Sequence, residues 1–145
     1  MNIIHIVLAD DHPLVRRGIH NLIKKAPDIE VIGEANDGAE ALRLATELTP
    51  DVLLLDMEMP GLNGVEVTRR LQASQPSVRI LVLSSYTDKQ YILGALASGA
   101  AGYLTKEEAT QTLVRAIRQV ASGKERWVSR RVAAKLDDWI DSEPD

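Results

Sequence analysis

Five short apolar runs punctuate the chain, and an amphipathic helical pattern follows each of them. The runs cover residues 3–9, 29–35 (IEVIGEA), 52–55 (VLLL), 79–85 (RILVLSS) and 101–105 (AGYLT). Short, rich in Val, Ile and Leu and seldom interrupted, they read as strands covered on both faces. After DDHP, Val15, Ile19, Leu22, Ile23 and Ala26 share one helical face. Pro13 suits the first helical position, where its missing N–H costs nothing. A second helix is expected over 39–48, with Ala41, Leu42, Ala45 and Leu48 inward, and a third over 64–74, burying Val67 and Leu71. A fourth spans 89–98 and stops at Gly99. A fifth spans 110–122, carries Leu113, Val114, Ile117, Val120 and Ala121, and stops at Gly123; both glycines are good helix terminators.

A strand–helix unit repeated five times implies a mainly parallel sheet with helices on both faces, joined by right-handed crossovers. Ligands of such sheets sit at the carboxyl ends of the strands, near the point where strand order reverses. The residues expected there are Asp10 and Asp11 after the first strand, Asp56 after the third, Ser84 and Ser85 after the fourth, and Thr105 and Lys106 after the fifth. Three carboxylates in one cleft repel, and without a cation at least one of their pKa values must rise. Hard oxygen ligands with water positions to spare suit Mg²⁺. Lys106 can hold a further anion such as a phosphoryl oxygen as a point charge, and Ser84 can donate to another oxygen of the same group. Asp56 would then end a buried strand because its carboxylate must be held rigidly beside the metal, with an oxygen free to attack phosphorus. Taken singly, each residue has a plainer role: Asp11 could cap the first helix, Asp56 could be a turn residue, Lys106 a solvated lysine and Ser84 an ordinary strand-end serine. The joint pattern carries the specificity. His12 adjoins the acid pair and reads as a turn residue at its edge. His5 falls in a strand and His20 on a helix, and the spacing of the three suggests no zinc site.

Composition narrows the classes. Hydrophobic residues make up 45% of the 145 and aromatics 3%, with no Phe, so the core is aliphatic and alanine-rich. The absence of Cys excludes disulfides, thiolate zinc sites and cysteine nucleophiles. No apolar run approaches the roughly 18 residues of a membrane span. The opening MNIIHIVLADDH lacks a basic region and ends in acids, unlike a secretory signal. A cytoplasmic protein without membrane contact is expected. The net charge of −4 argues against nucleic-acid binding by electrostatics alone.

The segments LADDHPLVRRG, DVLLLDMEMPGLNGVEV, ILVLSSYTD and GAAGYLTK resemble the signature segments of bacterial response-regulator receiver domains. The resemblance covers residues 3 to 122. Within that family the chain is similar to the NarL/FixJ subfamily, whose receivers are usually joined to a LuxR-type helix-turn-helix. ADDHPLVRRG and the Lys106-Glu107 pair, where other subfamilies carry Lys-Pro, point that way. The resemblance implies a flavodoxin-like (βα)5 doubly wound sheet of strand order 2-1-3-4-5 with a C-terminal helical extension. It implies that Asp56 is the phosphoacceptor, and that Asp10, Asp11, Asp56 and the backbone carbonyl of Glu58 bind Mg²⁺. Lys106 would contact the phosphoryl group, Ser84 would be the switch hydroxyl and Tyr103 its aromatic partner. Pro60 and Gly61 would shape the neighbouring loop, and Glu58 and Tyr86 would line the mouth and tune the phosphate lifetime. The implied partners are a sensor histidine kinase and a second copy in a phosphorylation-dependent homodimer. Such a receiver is not an enzyme beyond its own phosphorylation and dephosphorylation.

Past Gly123 the character changes to the basic KERWVSRR and the acidic DDWIDSEPD. Residues 1–123 are read as the receiver and 124–145 as a linker or extension helix. Val132, Leu136, Trp139 and Ile140 fall on one helical face that Ser129 could cap. That face either packs on the domain or, with Trp127, meets a second protomer or an effector domain. Four basic residues are too few to claim DNA contact. DNA would be reached through an effector of roughly 60 further residues outside this chain. The end at SEPD favours a fragment of a longer regulator over a receiver acting alone. A magnesium-dependent phosphatase of the haloacid-dehalogenase type also uses a strand-end Asp, but here the second acid is Glu58, the expected following Thr is missing and a cap domain does not fit. A flavin or nucleotide binder of similar shape would need a glycine-rich loop where DDHP stands. The intact acidic site argues against a binding-only pseudo-receiver.

Overall fold

The alternating pattern resolves into β1 (Ile4–Ala9), α1 (Pro13–Lys24), β2 (Ile29–Ala35), α2 (Gly38–Leu48), β3 (Val52–Asp56), α3 (Gly64–Ser74), β4 (Arg79–Ser84), α4 (Lys89–Ala97), β5 (Gly102–Thr105), a 3-10 turn (Lys106–Glu108), α5 (Ala109–Ser122), β6 (Trp127–Val128) and α6 (Arg130–Ser142). The structure, a computed structural model, describes residues 2–123 and 126–142, the side chains of 141 and 142 excepted. Lys124 and Glu125 of the basic run and residues 143–145 of the acidic tail lie outside the described residues.

The strands form one parallel sheet in the order β2-β1-β3-β4-β5-β6. Side chains alternate across a strand, so each central strand feeds two cores. Val7, Leu53, Leu55, Ile80, Val82 and Tyr103 join Ala41, Ala45, Val67, Leu71, Ile92 and Val132 on one side. Ile6, Leu8, Leu54, Leu81, Leu83 and Leu104 meet Ile19, Ile23, Leu113, Ile117 and Val120 on the other. This is why β3 and β4 read as unbroken apolar runs, whereas β2, at the edge, exposes Glu30 and Glu34. Asp37 and Asn63 cap α2 and α3 by accepting from the N–H groups of Glu40 and Glu66, at 2.8 and 2.9 Å. Leu48, expected inward, is exposed, because it occupies the last turn of α2 just before Thr49 turns left-handed.

The sixth strand is not foreshadowed by the sequence pattern. Two residues flanked by charges carry no periodicity, and their pairing is supplied by β5: Gly102 lies opposite Trp127, and Tyr103 opposite Val128. The Trp127 N–H donates to the Ala101 carbonyl at 2.9 Å, and the Ser129 N–H to the Tyr103 carbonyl at 3.1 Å. Gly102 permits this approach, since a Cβ there would stand 2.9 Å from the Trp127 carbonyl oxygen. Ser129 then caps α6, its hydroxyl accepting from the Val132 N–H at 3.2 Å. Val132 is buried, with Leu136 and Trp139 packed against the same core, so the apolar face of α6 lies on the domain. Ile140, expected on that stripe, is 74% exposed.

Glu108 fastens this extension. Its carboxylate accepts from the Thr105 hydroxyl at 2.7 Å and from the Arg131 N–H at 3.2 Å. Burial pushes its pKa up, but the hydrogen bonds from Ser129, Thr105 and Arg131 outweigh this and leave it below the ordinary glutamate value. A lowered carboxyl stabilises the fold above the unfolded-state pKa and loses that effect as pH falls through the native one. Glu108→Gln should therefore cost about 1–3 kcal/mol at neutral pH. In urea unfolding followed by Trp127 and Trp139 fluorescence, the gap from wild type should close as pH falls below about 4.5.

Candidate functional site

Strand register assembles the site. Ala9 pairs with Leu55, so the next residues, Asp10 and Asp56, stand side by side at the strand ends. Asp56 pairs with Leu83, which sets Ser84 one step beyond it, and Ser84 pairs with Thr105, which sets Lys106 one step beyond that. The parallel sheet thus brings four chain segments to one edge. Ligand atoms of Asp10, Asp11, His12 and Asp56 all lie within 4.8 Å of one another. Lys106 Nζ stands 3.3 Å from Asp56 Oδ2 and 3.5 Å from Glu58 Oε2.

The Asp56 carboxylate is 1% exposed and held from two sides, its Oδ1 accepting from the Glu58 N–H at 3.0 Å. Asp10 Oδ1 accepts from the His12 N–H at 2.8 Å and faces His12 Nδ1 at 3.1 Å. His12, not Asp11, occupies the N-cap position of α1 and makes no side-chain cap. The possible capping role of Asp11 is thereby replaced by a place in the acidic cluster. Asp11 Oδ1 stands 3.0 Å from His12 Nδ1 but outside hydrogen-bond geometry. Among the described residues, three buried oxygens, Asp10 Oδ2, Asp11 Oδ1 and Glu58 Oε2, accept no hydrogen bond. Unpaired buried carboxylate oxygens are costly, and a divalent cation is the partner that such an all-oxygen set suits.

Charge crowding shows in the titration of these groups. Burial pushes the Asp10 carboxyl up, against the hydrogen bond from the His12 N–H, and the Asp56 charge pushes it further. Glu58 is pushed up to about 7 by burial, by its hydrogen bond to Asp56 and by the Asp56 charge. Burial also opposes ionisation of Asp56, but hydrogen bonds from Glu58 and the Lys106 ammonium outweigh it and hold the carboxyl below its ordinary value. Lys106 is raised: burial works against its charge, and the Asp56 and Glu58 carboxylates overcome that.

The remaining expected residues stand just behind. Ser84 is buried, and its hydroxyl accepts from the Tyr86 N–H at 3.0 Å. The Tyr103 ring is fully buried, with its hydroxyl donating to the Tyr86 carbonyl at 2.7 Å. Tyr86 itself is exposed at the rim and stacks on Tyr91, ring centroids 4.6 Å apart. Of two further contributors, Glu58 is expected at the mouth of the site and Arg16 escapes sequence reasoning. The Glu58 side chain joins the site as well as its backbone, accepting from the Ser85 N–H at 3.3 Å. The other is Arg16, which hydrogen-bonds the Asp10 carbonyl; in the sequence it is one of two adjacent helical arginines with nothing to separate them. On the far side of the cleft, Gly38 lets α2 meet the loop after β3, since a Cβ there would lie 1.8 Å from the Leu62 carbonyl oxygen.

Comparison with known proteins agrees with this architecture. Residues 6–118 match the family model of the response regulator receiver domain. The chain is 40% identical over 133 residues to the response regulator GacA of Pseudomonas aeruginosa, covering 92% of this chain and 62% of GacA. It is 44% identical over 119 residues to the nitrate/nitrite response regulator protein NarL of Escherichia coli K12, covering 82% of this chain and 55% of NarL. The chain therefore spans between half and two thirds of these relatives. Among solved structures, the two-component response regulator of the LuxR family from Aurantimonas sp. SI85-9A1 superimposes with a TM-score of 0.92 at 35% identity, over 97% of this chain and all of that one.

The raised Glu58 has a consequence for stability. A carboxyl lifted from 4.5 to about 7 contributes stability below the lower value and loses it as pH rises through the upper one. In chelator-containing buffer the melting temperature should fall between about pH 5 and pH 8, and Glu58→Gln should flatten that slope. A wild-type slope of the opposite sign across that window would contradict the assignment.

Proposed function

The chain belongs to the family of response-regulator receiver domains, of the NarL type, and from that membership and the geometry above we propose that Asp56 accepts a phosphoryl group from a phosphohistidine on a sensor histidine kinase. The observation that carries the proposal is the buried Asp56 carboxylate with Lys106 Nζ 3.3 Å away and Asp10 and Asp11 alongside. The phosphorus–nitrogen bond breaks, a bond forms from phosphorus to an Asp56 oxygen, and the imidazole leaves. Such transfers depend on positioning and charge stabilisation more than on covalent assistance.

Asp10, Asp11, Asp56 and the Glu58 backbone carbonyl would hold Mg²⁺, the unpaired Asp10 and Asp11 oxygens being the ones free to do so. When bound, the ion offsets the negative charge that the carboxylates and the phosphoryl group bring together. Lys106 supplies a fixed positive charge to the phosphoryl oxygens, as it now does to Asp56. Ser84 serves as the switch hydroxyl: it would give up the Tyr86 N–H and donate to a phosphoryl oxygen, freeing one side of the residue whose carbonyl accepts from the Tyr103 hydroxyl. A receiver is a signalling module and not a conventional enzyme, acting on its own aspartyl phosphate alone.

Residues 1–123 act as the receiver, and residues 124–145 form the extension leading to an effector. Its output is a phosphorylation-dependent homodimer that controls transcription through a LuxR-type helix-turn-helix carried outside these 145 residues. We assign the protein to the cytoplasm; among the described residues no helix is long and apolar enough to cross a membrane.

Intact-mass measurement after acetyl phosphate and Mg²⁺ should show one added phosphoryl group, mapped to Asp56 and lost with chelator. Asp56→Asn should abolish it, and Lys106→Ala should slow it by about 10²-fold. Uptake by Asp56→Asn at the wild-type rate would refute the assignment, and light scattering of both forms reads the dimer.

A further inference from the structure

Arg16 extends from the first turns of α1 yet is mostly withdrawn from solvent, its side chain 17% exposed. Its Nη1 donates to the Asp10 carbonyl at 2.5 Å and to Asn36 Oδ1 at 2.6 Å. Its Nε lies 3.4 Å from Glu34 Oε1, and Glu34 also faces His20 at 3.3 Å. The Asp10 N–H donates to the Ala35 carbonyl at 3.1 Å. The two peptide groups flanking the Asp10 α-carbon are therefore both tied to the end of β2 and the residue after it. The second of them is the Asp10–Asp11 peptide, the link between the two side chains that present unpaired buried oxygens.

We propose that Arg16 is a positioning residue for the cation site, its guanidinium bridging the Asp10 carbonyl to Asn36 so that the Asp10 and Asp11 carboxylates are aimed before the ion arrives. The proposal rests on reading the acidic cleft as a Mg²⁺ site. Its physical content is a sign. A cation near a divalent-metal site opposes binding by Coulomb repulsion, so removal of a mere surface charge should tighten Mg²⁺ or leave it unchanged. Removal of a clamp on the ligand-bearing backbone should weaken it. Partners that orient metal ligands without touching the metal contribute factors of roughly ten or more in affinity. Lys keeps the charge but presents a compact ammonium on a different stem, and so should not rescue a bridge between two fixed acceptors.

The test is calorimetric titration of the 145-residue chain with Mg²⁺ alone at fixed pH, paired with melting curves in chelator. Arg16→Gln and Arg16→Lys should each raise the Mg²⁺ dissociation constant about tenfold, with the metal-free melting temperature shifted by no more than a few degrees. Glu34→Gln, which keeps both Arg16 hydrogen bonds, should bind Mg²⁺ as wild type does. Tighter or unchanged binding by Arg16→Gln, or full rescue by Arg16→Lys, overturns the proposal. If the Arg16 variants do not fold, Asn36→Ala decides: about threefold weaker Mg²⁺ binding supports the bridge and unchanged binding overturns it. Wild type that takes up no Mg²⁺ removes the reading of the cleft itself, a result distinct from a wild type that binds and a variant that binds equally well.

Discussion

The structure turns on like charges held together. Two unit charges about 5 Å apart repel by roughly 3 kcal/mol at an effective dielectric near 20. Asp10, Asp11 and Asp56 within 4.8 Å of one another would, if all were ionised and uncompensated, cost a sum comparable with the whole ~5–15 kcal/mol stability of a domain. The fold meets this cost with Lys106 at 3.3 Å and with backbone N–H donors from His12 and Glu58, and it pushes the neighbouring Glu58 carboxyl up to about 7. Even so, among the described residues three buried carboxylate oxygens accept no hydrogen bond. A site tolerated at that expense is organised for a further positive charge, and the sheet beneath it is the rigid frame that keeps the acids from moving apart.

That frame was largely legible from the residues. Runs such as VLLLD admit one interpretation, a strand buried on both faces, and five of them in alternation with helical stripes admit few topologies. In a parallel sheet the carboxyl ends of all strands share one rim, so the gathering of Asp10, Asp56, Ser84 and Lys106 there was inferable before any coordinate, while the strand order came from the resemblance to receiver domains and the register from the structure. What escaped was of another kind. β6 has two residues and no periodicity, and its existence depends on the open edge of β5 and on the space left at Gly102. Arg16 acts through contacts from α1 that only the tertiary arrangement brings within hydrogen-bond distance of Asp10 and Asn36. Leu48 and Ile140 follow the helical stripe in sequence yet are 40% and 74% exposed near the ends of their helices, Leu48 keeping its Cδ1 over Gly33 of β2.

The loops around the cleft are braced by local hydrogen bonds. Asn63 caps α3 and Asp37 caps α2, so the starts of both helices are pinned by side-chain acceptors. The absence of a Cβ at Gly38 lets these two helix starts come together against the Leu62 carbonyl. Asn36, beside this junction, is where Arg16 lands, and the Asn36 N–H in turn donates to Glu40 in the first turn of α2 at 2.9 Å. The acidic loop after β1 is thereby braced against a helix terminus rather than left to solvent.

The site and the C-terminal extension share covalent structure. Lys106 opens a 3-10 turn whose other two residues grip the start of α6: Glu107 pairs with the Arg131 guanidinium, and Glu108 accepts from the Arg131 N–H while closing a capping box with Thr105. Tyr103 makes a second connection. Its hydroxyl holds the Tyr86 carbonyl two residues beyond Ser84, and its own carbonyl accepts from Ser129 at the α6 cap. Two connections thus run from the rim residues to one helix, so the seating of α6 and the surroundings of Lys106 and Ser84 rest on shared hydrogen bonds within one close-packed interior.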